Sequence, residues 1–314
     1  MTDDHSHLRA VASLRGLAVG DAVGACYFVP LNQPLLADRL LPPDPWYWTD
    51  DTEMACSVYA VLRARGRADQ DALARSFAEH HDFDRGYGAG VNRMLRLIRQ
   101  EGADWREQAQ GMFEGRGSWG NGAAMRVAPL GAWYGADDLE RVAAQAAASA
   151  EVTHTHAEGV AGAVAVAVAA ALAATTNLAG YAFLDEIAER TPPGLVRDGI
   201  GNAMTLLPLS DPRSAAASLG NGRYISAPDT VPFCLWVAAK RLGGEGAGES
   251  ETEGEGDTDG DYEAAFWDTA LVGGDIDTNC AIVGGVMAAR VGVEGIPEEW
   301  RKRCEPLPEW AAVP

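Results

Sequence analysis

Glu158-Gly159-Val160-Ala161-Gly162-Ala163-Val164-Ala165-Val166-Ala167-Val168-Ala169-Ala170-Ala171-Leu172-Ala173-Ala174 carries a single charge, at its first residue. Alanine at this density favours helix over strand, because it loses no rotamer freedom there. The run Val142 to Ala150 has the same character, and Val-Ile-Thr alternation is scarce. Together they predict an all-α fold, a single compact multi-helix domain over residues 1–314. A membrane span has to be weighed, since Gly159 to Ala174 is uncharged. It is shorter than the ~20 residues a span needs and rich in Ala and Gly rather than Leu and Ile, so a buried core helix is expected.

Working outward, Leu8 to Val19 reads as an amphipathic helix ending near Gly20-Asp21-Ala22-Val23-Gly24. Phe28 to Pro45 holds five prolines and reads as a loop. Helices are expected from about Asp51 to Arg63, from Asp69 or Gln70 to His80, from Val91 to Gln100 and from Tyr262 to Leu271. Met1 to His7 is polar and acidic, without a basic or apolar targeting pattern, so a cytoplasmic location is expected. Five scattered cysteines show no paired metal spacing and no disulfide framework. The formal charge is −20, partly because residues 245–263 hold nine acidic residues and no Lys or Arg. Without them, 36 acidic residues still face 25 basic ones, an unpromising balance for nucleic acid. Residues 243–261, rich in Gly, Glu and Asp, are expected to form a flexible acidic loop.

Chemistry concentrates at Trp48-Thr49-Asp50-Asp51-Thr52-Glu53-Met54, where adjacent carboxylates precede an apolar helical run. Asp50 with Glu53 three residues later also reads as an acidic capping box. A second cluster, Gly273-Gly274-Asp275-Ile276-Asp277-Thr278-Asn279, again opens an apolar segment. Two caps need two acceptors, whereas these sites offer four carboxylates and at least two hydroxyls. That surplus calls for cations. Hard oxygen donors suit Mg²⁺, Mn²⁺ or Ca²⁺, and two facing clusters could hold a pair of them.

Two glycine-rich segments accompany the clusters. Asp82-Phe83-Asp84-Arg85-Gly86-Tyr87-Gly88-Ala89-Gly90 opens a helix and could bring free N–H groups to a phosphate. In Phe113 to Arg126, four glycines interleave with Ser118, Trp119 and Asn121, offering close backbone approach and an aromatic plate. A surface turn capped by Asn121 is the plainer alternative. Of His154 and His156, only one should face a site if the segment is extended.

In their order these blocks resemble the ADP-ribosylglycohydrolase family, which includes dinitrogenase reductase-activating glycohydrolases and serine-ADP-ribose hydrolases. The resemblance implies an all-α fold with a dinuclear cleft for two Mg²⁺ or Mn²⁺ ions. It implies metal ligands at Thr49, Asp50, Asp51, Asp275, Asp277 and Thr278. Gly88, Ser118, Gly120, Asn121 and Gly122 would hold the diphosphate and distal ribose, Phe113 and Trp119 would flank adenine, and His154 would touch a ribose. ADP-ribose or an ADP-ribosylated substrate is the implied partner, met by a monomer.

One position departs from that pattern. Many members carry a glutamate shortly after the Gly-Asp-x-x-Gly block as acid/base, and Phe28 stands there. A Phe facing the carboxylates would weaken metal binding and slow release of serine-linked ADP-ribose. The catalytic carboxylate is then sought at Asp84, or at Asp50 or Asp275 of the metal clusters. The expected reaction is hydrolysis at the anomeric carbon of an ADP-ribose conjugate. A non-catalytic ADP-ribose-binding module, or a hydrolase of a phosphorylated ADP-ribose derivative, are the alternatives.

Overall fold

A computed structural model describes residues 2–243 and 261–313 of the chain. Apart from its end residues, the acidic segment 243–261 lies outside the described residues. The described residues form sixteen α-helices joined by loops and short 3-10 turns, with only two isolated bridges and no strand. The Gly159–Ala174 run lies within the helix Ala157–Thr175, whose residues from Ala163 to Ala171 are at most 2% exposed. A helix apolar on every side must be wrapped by others. The helices Ala128–Tyr134, Leu139–Glu151, Ala227–Arg241 and Ile276–Val291 pack around it.

The pairing that positions the site joins the N-terminal helix, Thr2–Cys26, to the helix Ile276–Val291. Gly16, Gly20 and Gly24 recur every fourth residue and so share one face. A Cβ at Gly16 would collide with Ala288 and the Gly284 backbone, and one at Gly20 with the Cys280 backbone. At Gly24 it would come 2.8 Å from the Asp277 Cα. Backbones therefore touch where most helix pairs keep side chains between them. The helix continues past the glycines to Cys26 instead of ending there, because they are contact residues and not a terminator.

The remaining predicted helices appear as Asp50–Arg65, Gln70–His80, Ala89–Glu101 and Tyr262–Ala270. Within the 28–45 loop, a 3-10 turn at Pro30–Asn32 and a short helix, Gln33–Ala37, break the irregular chain.

Candidate active site

The helix Asp50–Arg65 is capped by Thr49, whose hydroxyl accepts from the Asp51 N–H at 3.4 Å. The Asp50/Glu53 capping box does not form. Glu53 is buried and turned away, accepting from the Tyr87 hydroxyl at 2.6 Å and the Asp82 N–H at 3.1 Å. It thereby ties the acidic helix to the Gly86–Gly90 turn. Arg85 fastens the other side of that turn, donating to both oxygens of Glu305 at 2.7 and 2.9 Å while its guanidinium lies 3.5 Å from the Trp48 ring centroid.

Asp21, fully buried in the N-terminal helix, reaches the same place. It accepts from the Thr49 N–H at 2.9 Å, the Thr49 hydroxyl at 2.8 Å, the Thr52 N–H at 3.1 Å and the Thr52 hydroxyl at 2.5 Å. Oxygens of Asp21, Asp51 and Asp277 lie within 4.8 Å of one another. Four donors already occupy Asp21, so it holds the start of the Asp50–Arg65 helix, while Asp51 and Asp277 keep capacity for a cation. Asp51 Oδ1 is buried with no hydrogen-bond partner.

The electrostatics agree with the donor set. Burial, then repulsion from Asp21 and other neighbours, pushes Asp50 up to about 8 and Asp51 well above the ordinary range. Burial and Asp275 do the same to Asp277, while burial raises Asp275 and lifts Asp21 to about 6. Carboxylates so placed ionise together only when a cation compensates them. The residues present therefore fit a divalent metal. Arg126, a buried cation nearby, is pulled down to about 9 by burial; it donates to the Ser149 carbonyl at 2.9 Å.

Asp50, Asp51, Asp275, Asp277 and Thr278 line one end of a cleft of about 880 Å³. Gly88, Phe113, Ser118, Trp119, Gly120, Asn121, Gly122 and His154 line the rest, together with Tyr224 and Ile225. Asn121 links the two ends, donating to Asp275 at 2.7 Å and to the Thr230 hydroxyl at 3.0 Å. His154 is 3% exposed, with Nδ1 2.7 Å from the Thr153 hydroxyl, and burial followed by Arg126 lowers its pKa to about 3. It is a neutral imidazole. Phe113 sits where the helix Trp105–Gly115 kinks, in the left-handed region at φ 52°.

Three expectations need correction. Asp84 is exposed on a 3-10 turn and is not among the cleft-lining residues, so its carboxylate is badly placed as a base. Thr49 does not line the cleft, its hydroxyl lying between Asp21 and Asp51 at 2.8 and 3.0 Å. Phe28 is 48% exposed and outside the lining, because the chain leaves the N-terminal helix at Cys26 and turns away. Sequence reading also missed Asp21 as part of the acidic group, although an aspartate amid Leu17, Val19, Ala22 and Val23 is a visible anomaly. It missed Tyr224 and Ile225, which no motif marks.

A family model for ADP-ribosylglycohydrolase matches residues 2–313. The chain belongs to the ADP-ribosylglycohydrolase family. Human ADP-ribosylhydrolase ARH3 is 30% identical to it over 334 residues, spanning 93% of this chain and 88% of its own. The mouse ARH3 is also 30% identical, over 94% of this chain and 87% of its own. ADP-ribosyl-[dinitrogen reductase] glycohydrolase of Rhodospirillum rubrum is 31% identical over 142 residues, 41% of this chain and 46% of its own. A solved ADP-ribosylglycohydrolase-related protein complex shares the fold, with a TM-score of 0.58 at 24% identity over 99% of this chain and 96% of that one. As a member of this family the protein is a glycohydrolase.

Proposed function

We propose that the cleft hydrolyses the bond to the anomeric carbon of ADP-ribose in a protein or small-molecule conjugate, with two divalent cations, Mg²⁺ or Mn²⁺, at its acidic end. One observation carries the reading. Two acidic helix starts, at Asp50 and Ile276, converge at the end of a single cleft whose wall is the glycine-rich Ser118–Gly122 segment. Asp50, Asp51, Asp275 and Asp277, with the hydroxyl of Thr278, would hold the cations. When bound, these supply the positive charge that orients sugar hydroxyls and acidifies water.

The chain's own groups do the rest. Asp50 faces the cleft and accepts no hydrogen bond from another of the described residues, so we assign it as the base that takes a proton from the attacking water. Asp275 is held by Asn121 and serves better as a fixed anchor. Backbone at Gly88 and Gly120–Gly122, with Ser118, cradles the diphosphate, and Phe113 and Trp119 flank adenine. Neutral His154 contacts ribose. The test is release of free ADP-ribose from serine-linked, arginine-linked and acetylated conjugates. Release is expected with Mg²⁺ or Mn²⁺ and none in chelator; failure with every conjugate in both metals would overturn the reading.

A further inference from the structure

Among the described residues, five carboxylates line the cleft, Asp50, Asp51, Asp275, Asp277 and Glu107, against one cationic side chain, Arg93. The chain as a whole carries −20. An ADP-ribose diphosphate entering this surface would meet a repulsive field except where cations held by the acidic end, or the walls themselves, supply positive charge.

Arg93 is placed to supply it. On the helix Ala89–Glu101, the first turn, Ala89, Gly90 and Val91, lines the cleft, and Arg93 and Met94, four residues after Ala89 and Gly90, continue that lining along one face. Arg93 thus lies about one turn, ~5 Å, from the helix start, where N–H groups without intrahelical partners face the same space. The helix carries two more arginines, Arg96 and Arg99, and neither lines the cleft. Arg99 donates to the His81 carbonyl at 3.3 Å. Arg93 is exposed and makes no ion pair with any described residue, Glu107 included.

We propose that Arg93 is the residue that reads the substrate's diphosphate, pairing its guanidinium with phosphate oxygens held at the start of its own helix. The proposal rests on the functional reading above and names a specificity determinant within it. A guanidinium suits the task because its donors form a planar fork that matches two phosphate oxygens. Lysine at this position would keep the charge and lose the fork.

Calorimetric binding of ADP-ribose and of adenosine to the Mg²⁺-loaded full chain tests this, with Arg93→Ala, Arg93→Lys and Arg96→Ala compared. Losing a charge-assisted hydrogen bond typically weakens binding about tenfold or more. Arg93→Ala should therefore weaken ADP-ribose binding about tenfold, flatten its salt dependence and leave adenosine unchanged. Arg93→Lys should recover part of the loss, and Arg96→Ala should stay within about twofold of the parent. Equal weakening by Arg96→Ala would reduce the effect to the general field of the helix and overturn the proposal. So would equal loss of adenosine, or ADP-ribose binding by Arg93→Ala that matches the parent in strength and salt dependence. A parent that binds no ADP-ribose overturns the functional reading as well, which separates the two failures.

Discussion

The two ends of the cleft are built on opposite principles. At the acidic floor, helix backbones touch through Gly16, Gly20 and Gly24, and beside that seam buried Asp21 and Asp51 meet half-buried Asp277. At the rim, Phe113, Trp119, Tyr224 and Ile225 are 57%, 47%, 78% and 64% exposed. Phe113 and Ile225 hold φ of 52° and 51°, a region unfavourable for bulky and β-branched side chains. The floor puts its charges where packing fixes them before substrate arrives; the rim leaves apolar plates in water for a ligand to cover. Strain kept at the rim, with close packing at the floor, divides the work between recognition and chemistry.

The sharpest way to break this division is to alter the floor's chemistry without its shape. Asp50→Asn should lower turnover of ADP-ribose conjugates about 10²–10⁴-fold while the melting temperature holds or rises. A variant within threefold of the parent would move the base elsewhere.

Next in size is the seam. Gly20→Val would drive a side chain into the Cys280 backbone, and such overpacking costs about 1–3 kcal/mol or more, visible by denaturant titration. Unchanged stability would mean the helices separate easily and the floor is not fixed by their contact.

The rim should respond through affinity alone. Base stacking on an aromatic is worth about 1–3 kcal/mol, so Phe113→Ala should weaken ADP-ribose binding roughly 5- to 150-fold and leave stability within about 0.5 kcal/mol. A large loss of stability would make Phe113 a structural residue of the kink.

Metal-free protein should also show the floor's charge in its pH dependence. Asp50 and Asp21 are raised from 3.8 to about 8 and about 6, so the folded chain binds more protons than the unfolded one between those limits. Their contribution is therefore fully present below about pH 4 and lost as pH rises through the folded values. Added Mg²⁺ should flatten that slope, and a metal-free chain that gains stability from pH 5 to 8 would contradict the compensation argument.

The smallest effect is expected at Phe28. Exposed and outside the cleft, it should tolerate Phe28→Glu with less than about twofold change in turnover, the reverse of what its alignment with a catalytic glutamate suggests. A large gain would place that loop over the floor during catalysis.

The floor was more legible than the rim for a physical reason. The density of Ala at Glu158–Ala174 and the two carboxylate pairs express themselves locally, as helix propensity and as charge that must be compensated. Glu53 and Asp84 were misread because local spacing does not reveal which way a side chain turns. Tyr87 and the Asp82 N–H draw Glu53 inward, while Asp84 faces solvent. Ile225 was invisible, because its backbone follows from long-range packing of its loop. There Ala227 donates to the Trp119 carbonyl at 3.0 Å, and the Asn221 carbonyl accepts from the Asp275 N–H at 3.1 Å.

Titration of the metal-stripped full chain with Mn²⁺, followed by calorimetry beside Asp277→Ala, tests the central claim most directly. The account predicts saturable binding of about two ions by the parent and loss of high-affinity binding in the variant, whose fold is checked by circular dichroism. A parent that takes up no Mn²⁺, or a folded Asp277→Ala that binds it equally well, would contradict the claim that the two acidic helix starts form one metal site.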